Sequence, residues 1–227
     1  MKRKAVCVIS GGMDSAVSAK IAQNEGFEVI GVHFNYLQRT EKKELEAFYE
    51  IVKALGIADT YVIDLPFFAQ IGASALTDYD IDVPISGLGN DVPITYVPFR
   101  NGIFLSIATS IAEKEGAEVI YIGVVEADGS GYPDCTKSYI TQMEYAINQG
   151  TKAVTKISIK TPLIMMSKKD IVKKAIELEV PLQATWSCYK NETVACGVCD
   201  SCRLRLRGFK EAEFDDFIPY ESTISTQ

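Results

Sequence analysis

Three features of this chain predict an α/β fold, a doubly wound parallel sheet of the Rossmann-like kind. Short apolar runs alternate with stretches of helical length, the pattern of successive strand–helix–strand units. The first apolar run, Ala5 to Ile9, breaks directly into a glycine-rich turn followed by helical periodicity. The composition, 47% hydrophobic and 23% charged over 227 residues, supplies enough apolar material to cover a sheet on both faces.

In order along the chain, strands are expected at 5–9, 28–34, 60–63, 118–122 and 156–160. Helices are expected at 15–25, 41–55, 102–115, 137–148 and 167–178. The last of these opens with Ser167-Lys168-Lys169-Asp170, a capping-box-like start, and Pro181 lies just beyond its end. Between 66 and 98 the rhythm is interrupted by Pro84, Pro93, Gly87, Gly89 and the acids Asp78, Asp80, Asp82 and Asp91. A long irregular insertion of this kind is expected to act as a lid over a site. The organisation predicted is one α/β domain over 1–180, a cysteine-rich segment packed on it over 181–220, and a disordered tail at 221–227.

Charge and cysteine usage narrow the function classes. A net charge of −7 argues against a broad basic surface for nucleic acid. A cluster at Arg203, Arg205, Arg207 and Lys210 is the single stretch suited to RNA, and a solvated face explains it equally well. No apolar run is long enough for a membrane span or a secretory signal, so a cytoplasmic location is expected. Of six cysteines, Cys188, Cys196, Cys199 and Cys202 crowd together, a spacing that suits metal better than disulfides. Four thiolates close a tetrahedral zinc site with no open position for water, which makes the metal structural. Gly197 permits the tight turn between ligands, and a helix from about Asp200 carries Cys202.

The turn after the first strand carries the chemistry. Ile9 leads into Ser10-Gly11-Gly12-Met13-Asp14-Ser15. Glycines let the backbone approach an anion, the serines donate hydrogen bonds, and a helix N-terminus offers free amides and partial positive charge. No lysine follows the glycines, so this is not the loop that grips β- and γ-phosphates through a Gly-Lys-Ser/Thr sequence. It resembles the PP-loop of ATP pyrophosphatases, which attach AMP to a substrate and release pyrophosphate. Further down the chain, Tyr96-Val97-Pro98-Phe99-Arg100-Asn101 precedes an apolar helix. Asn101 is the expected N-cap there, and Arg100 is suited to bidentate contact with phosphate or carboxylate. A third stretch, Gly123 to Cys135, holds Glu126, Asp128, Tyr132 and Asp134 at another strand's carboxyl end. His33 reads by default as a buried neutral imidazole, and Trp186 as packing beside the metal site.

Taken in order, these motifs resemble the 7-cyano-7-deazaguanine synthases, the QueC family. The matching pieces are Ser-Gly-Gly-Met-Asp-Ser at 10–15, Phe34-Asn35-Tyr36-Leu37-Gln38-Arg39, Val97-Pro98-Phe99-Arg100-Asn101, Ser130-Gly131-Tyr132-Pro133-Asp134-Cys135 and the four cysteines. The resemblance implies an adenine-nucleotide α-hydrolase-like fold, ATP, one structural Zn2+ and a homodimer, and Mg2+ is expected with the ATP on charge grounds. It implies conversion of 7-carboxy-7-deazaguanine and ammonia to the nitrile through an acyl-adenylate and an amide. By the same resemblance Ile9, Ser10, Gly11, Gly12, Met13, Asp14, Ser15, His33, Phe34 and Gly123 hold the nucleotide. Ser10, Asp14, Ser15 and Arg100 serve the chemistry. Gln38, Arg100, Asn101, Glu126, Asp128, Tyr132 and Asp134 face the deazaguanine. The chain departs from the family pattern at Leu37, Phe99 and Gly129, which leaves two alternatives: transfer of the activated acyl group to a protein amine, or a tRNA-modifying PP-loop enzyme.

Overall fold

The computed structural model describes residues 2–85, 91–127 and 131–221. Its elements run β1 (Lys4–Val8), α1 (Met13–Asn24), β2 (Glu28–Asn35), α2 (Glu41–Ala54), β3 (Asp59–Asp64) and α3 (Phe67–Ile71). They continue with α4 (Arg100–Glu115), β4 (Val119–Ile122), α5 (Lys137–Gly150), β5 (Ser158–Lys160), α6 (Lys168–Glu177) and α7 (Asp200–Ala212). The strands form one parallel sheet in the order β3-β2-β1-β4-β5. Chain progression therefore reverses direction at β1, and the crevice beyond the carboxyl ends of β1 and β4 is where such sheets take ligands.

Side-chain alternation along β1 divides the core in two. Ala5, Cys7 and Ile9 join the apolar residues of α1, α2, α6 and α7 on one face. Val6 and Val8 join those of α3, α4 and α5 on the other. The C-terminal segment shares this core with the α/β body, since Phe209 and Ala212 of α7 pack in the same cluster as Ile171 of α6. Ser167 caps α6 as its sequence suggests, accepting the Asp170 N–H at 3.2 Å.

Three expectations change on folding. First, α4 starts at Arg100 with Phe99 as its N-cap, so Asn101 lies in the first turn and is not the cap. Second, the 66–98 stretch contains α3, and Arg39 ties its middle down by donating to the carbonyls of Ala75, Asp78 and Ile81 at 2.6–2.9 Å. Third, Glu221 is held, its N–H donating to Ala195 O and its carboxylate accepting from Asn191. The rest of the expected tail lies outside the described residues.

The basic cluster after Cys202 also comes apart. Arg205 is buried and forms a 2.8 Å ion pair with Asp216, whose side chain is buried beside it. Arg203 donates to the carbonyls of Val198 and Ile85. This stretch is therefore not a uniform basic face. Among the described residues, no helix is long and apolar enough to cross a membrane.

Candidate active site

A cavity of about 240 Å³ opens at the sheet's switch point, between the loop after β1, the loop after β4, the first turn of α4 and the segment leading to the cysteines. On its loop side stand Ser10, Gly12, Asp14 and Ser15, with Ile9 and Met13 beside them. The loop organises itself. Ser15 Oγ donates to Gly12 O at 2.9 Å and accepts the Ser10 N–H at 3.1 Å, and Ser10 Oγ lies 3.2 Å from it. Gly12, the N-cap of α1, offers no side-chain cap, so the first-turn amides are left for an incoming anion.

Two glycines make this approach possible. Gly11 has φ of +91°, and a Cβ there would lie 2.5 Å from the carbonyl oxygen of Glu44. At Gly123 a Cβ would stand 2.7 Å from the backbone of Asp14, so the β4 loop can press against the α1 N-terminus only because it has none. The Trp186 N–H donates to Gly11 O at 2.8 Å, fastening the loop from the C-terminal side.

The cation missing from the loop's own sequence arrives from 154 residues away. Lys168, buried in the first turn of α6, places Nζ 2.8 Å from Asp14 Oδ2 and lines the cavity. Asp14 Oδ1 is buried with no hydrogen-bond partner among the described residues. Opposite the loop, Arg100 donates to Tyr36 Oη at 2.8 Å and lies over the Tyr36 and Phe104 rings. Burial opposes its charge, but the oxygens of Tyr36, Tyr132, Tyr189 and Asp134 outweigh that and hold it as guanidinium. Phe34 and Phe104, stacked at 4.2 Å, form an apolar wall.

Of the expected residues, Phe34, Gly123, Arg100, Asn101 and Tyr132 join the loop in lining the cavity. Others stand behind it. His33 is buried with Nδ1 2.9 Å from Ile9 O, and its ring lies against Phe48. Burial lowers its pKa, so it is a neutral core imidazole. Gln38 accepts the Tyr36 N–H through Oε1 and donates through Nε2 to Glu44 at 3.0 Å. Asp134 is turned to the α4 N-terminus, where Oδ2 accepts the Asn101 N–H at 2.9 Å. Glu126 does the same for α5, accepting the Lys137 N–H at 2.8 Å. Asp128 and Gly129 lie outside the described residues.

Sequence reasoning missed Tyr36, Glu44, Lys168 and Tyr189 in the cavity wall. Glu44 and Lys168 carried a signal, because each sits on the apolar stripe of its helix. Glu44 precedes Ala47, Phe48 and Ile51, and Lys168 precedes Ile171, Val172 and Ala175, all buried. Trp186 packs in the cysteine cluster as expected and also reaches the cavity.

The four C-terminal cysteines gather at one point. The sulfurs of Cys188, Cys196, Cys199 and Cys202 lie within 4.8 Å of one another, and Cys196 and Cys202 are 4.0 Å apart. Tetrahedral sulfur ligands around zinc stand about 3.8 Å apart, so the set fits one metal ion. The N–H groups of Lys190, Asn191 and Cys196 converge on Cys188 Sγ at 3.3–3.4 Å. Hydrogen bonds from Cys199 and Cys202 pull the Cys188 pKa down, which favours a thiolate. None of these four cysteines is in a disulfide.

The sheet order, the lysine-free glycine loop and the four-thiol centre define a PP-loop, ATP-using α/β protein. The chain belongs to the family described as "Queuosine biosynthesis protein QueC", whose sequence model matches residues 4–213. It is 67% identical to the 7-cyano-7-deazaguanine synthase of Sulfurovum sp. over 97% of this chain and 99% of the relative. The synthase of Nautilia profundicola is 63% identical over 96% of this chain and 99% of the relative. Among solved structures, a 4-thiouridine synthetase in complex with RNA and bound ATP shares the fold. That comparison has a TM-score of 0.52 and 19% identity, covering 93% of this chain and 50% of that one.

Proposed function

We propose that this chain converts 7-carboxy-7-deazaguanine and ammonia to 7-cyano-7-deazaguanine. One ATP activates the carboxylate as an acyl-adenylate, ammonia turns it into the amide, and a second ATP activates the amide so that loss of AMP leaves the nitrile. The observation that carries this reading is the full-length match to relatives that bear the synthase name. The cavity supports it independently. An anion cradle and a buried lysine stand on one side and a fixed guanidinium on the other, with room between them for a nucleotide phosphate joined to an acyl group.

The residues divide the work by chemistry. Ser10, Gly11, Gly12, Ser15 and the α1 amides take the pyrophosphate end, and Lys168 adds a positive charge where the leaving group departs. Asp14 Oδ1 suits a Mg2+ ion carried by the nucleotide, since that cation needs only one or two protein carboxylates besides phosphate. Phe34 and Phe104 offer the base an apolar face. Arg100, with Tyr132 and Tyr189, receives the carboxylate. Asp134 and Gln38 serve by position, holding Asn101 and Glu44. The four thiolates would hold Zn2+ in a closed structural site.

The test is incubation with 7-carboxy-7-deazaguanine, ATP and ammonium, following products by mass. A free nitrile with AMP and pyrophosphate is expected. Mass added to a protein, with no free nitrile, would overturn the reading. This reading includes a homodimer, as the family resemblance implies, and a cytoplasmic location, and sedimentation of the purified chain checks the dimer.

A further inference from the structure

Amination of an acyl-adenylate releases a proton from nitrogen, and a cavity that performs it needs a group to take that proton. Among the described residues, Asp14 and Glu44 are the two carboxylates that line the cavity. Asp14 is committed to Lys168. The carboxylates of Asp134 and Glu126 are turned onto helix amides. His33 faces the core, and burial pushes the Tyr36 hydroxyl well above its ordinary pKa, which makes it a poor proton acceptor.

We propose, resting on the nitrile-forming reading above, that Glu44 is the catalytic base that accepts the amine proton. It lines the same cavity as the anion cradle and Arg100. Its backbone packs on Gly11 of the anion cradle, and Arg100, the carboxylate-binding cation, acts on it electrostatically from α4. An acyl carbon one oxygen removed from the α-phosphorus falls between those two features. The carboxylate is fixed by Thr40 Oγ1 on Oε1 at 2.7 Å and Gln38 Nε2 on Oε2 at 3.0 Å. Each oxygen keeps a second lone pair for a substrate proton.

In the step, the nitrogen lone pair forms the C–N bond at the acyl carbon. The C–O bond to AMP breaks, and its electron pair leaves on the AMP phosphate oxygen. The N–H proton passes to Glu44 and from there to water. Before that step the ionised carboxylate attracts ammonium, takes one of its protons and passes it to water, so it is ionised again when the amine proton leaves. Its acidity suits the task. Burial pushes the carboxyl up to about 7 and Glu41 adds to this, while Thr40, Gln38 and Arg100 pull the other way. A base poised near the working pH is the effective one.

The experiment measures two rates in wild type and E44Q. One is ATP–pyrophosphate exchange driven by 7-carboxy-7-deazaguanine, which reports adenylation. The other is amide plus nitrile formed from ammonium. We expect E44Q to lower the ammonium-dependent rate about 100-fold while exchange falls no more than about threefold. The acid limb that wild type shows near pH 7 should vanish. Hydroxylamine, uncharged at neutral pH, should be impaired less than ammonium in E44Q yet still react more slowly than with wild type, because it needs no base to free its lone pair but still sheds an N–H proton as the C–N bond forms. Equal loss of both rates, or ammonium-dependent turnover within about threefold of wild type, would overturn the role of Glu44. Absence of carboxylate-dependent exchange in wild type would overturn the underlying reading, and Glu44's role with it.

Discussion

At the scale of single residues, buried charges on apolar stripes are the informative ones. Lys168 illustrates the physics. A buried ammonium is tolerated because it pairs with Asp14, and deleting it leaves that carboxylate uncompensated at the phosphate end. K168M is expected to lower ATP–pyrophosphate exchange about 100-fold, a loss consistent with removing one charge-assisted contact to a departing phosphate group. Leu37 and Phe99, two of the departures from the family pattern, both adopt left-handed φ, 59° and 55°, and both are exposed. L37G removes that strain and is expected to raise stability by up to about 1 kcal/mol in urea unfolding. Phe99 gains less, because its ring packs against Tyr139 and over Gly102.

His33 gives a pH prediction at this scale. Its folded pKa is lowered by burial, so the unfolded state binds the proton more readily. Stability is therefore retained above the unfolded histidine pKa, about 6.5, and lost as pH falls below it. Thermal melts across that range should show a fall on the acid side that H33Q flattens. A histidine that remained protonated in the fold would give the opposite slope.

Among the elements, the approach of α1 to the β4 loop decides whether an anion cradle exists. Gly123 needs no positive φ, and its constraint is pure contact with the backbone of Asp14 and Ser15. G123A must push the α1 N-terminus outwards, and about 1–3 kcal/mol of stability is expected to go with it. The Kd for ATP should rise in the same variant, measured by calorimetry. The helix caps show the same logic in reverse. Asp134 accepts the Asn101 N–H at the start of α4 and so fixes the turn that carries Asn101 and Arg100.

Across the whole molecule, the thiol centre and the phosphate loop are mechanically joined. Cys188 lies two residues after Trp186, whose N–H holds Gly11 O, and Trp186, Ser187 and Tyr189 line the cavity. Removing a bound metal is therefore expected to act on both stability and nucleotide binding. Chelation, or C199S, should lower Tm by roughly 5–10 °C, on the order of 2–3 kcal/mol for a chain of this size, and weaken ATP binding measured by calorimetry. A fall in Tm with unchanged ATP affinity would show that the two sites are independent.

Local pattern determined much of this protein: the strand–helix alternation, the glycine turn after β1, the Ser167 cap and the four-thiol spacing. Each depends on residues within a few positions of one another, where periodicity, φ preferences and capping act directly. Folding decided the rest. That Lys168 completes a loop lacking its own lysine, that Glu44 faces the cavity, and that Arg205 turns to Asp216 instead of RNA all depend on contacts between distant segments. A charge on an apolar stripe announces that it will be buried with a partner, but the partner is chosen by which helices the sheet brings together.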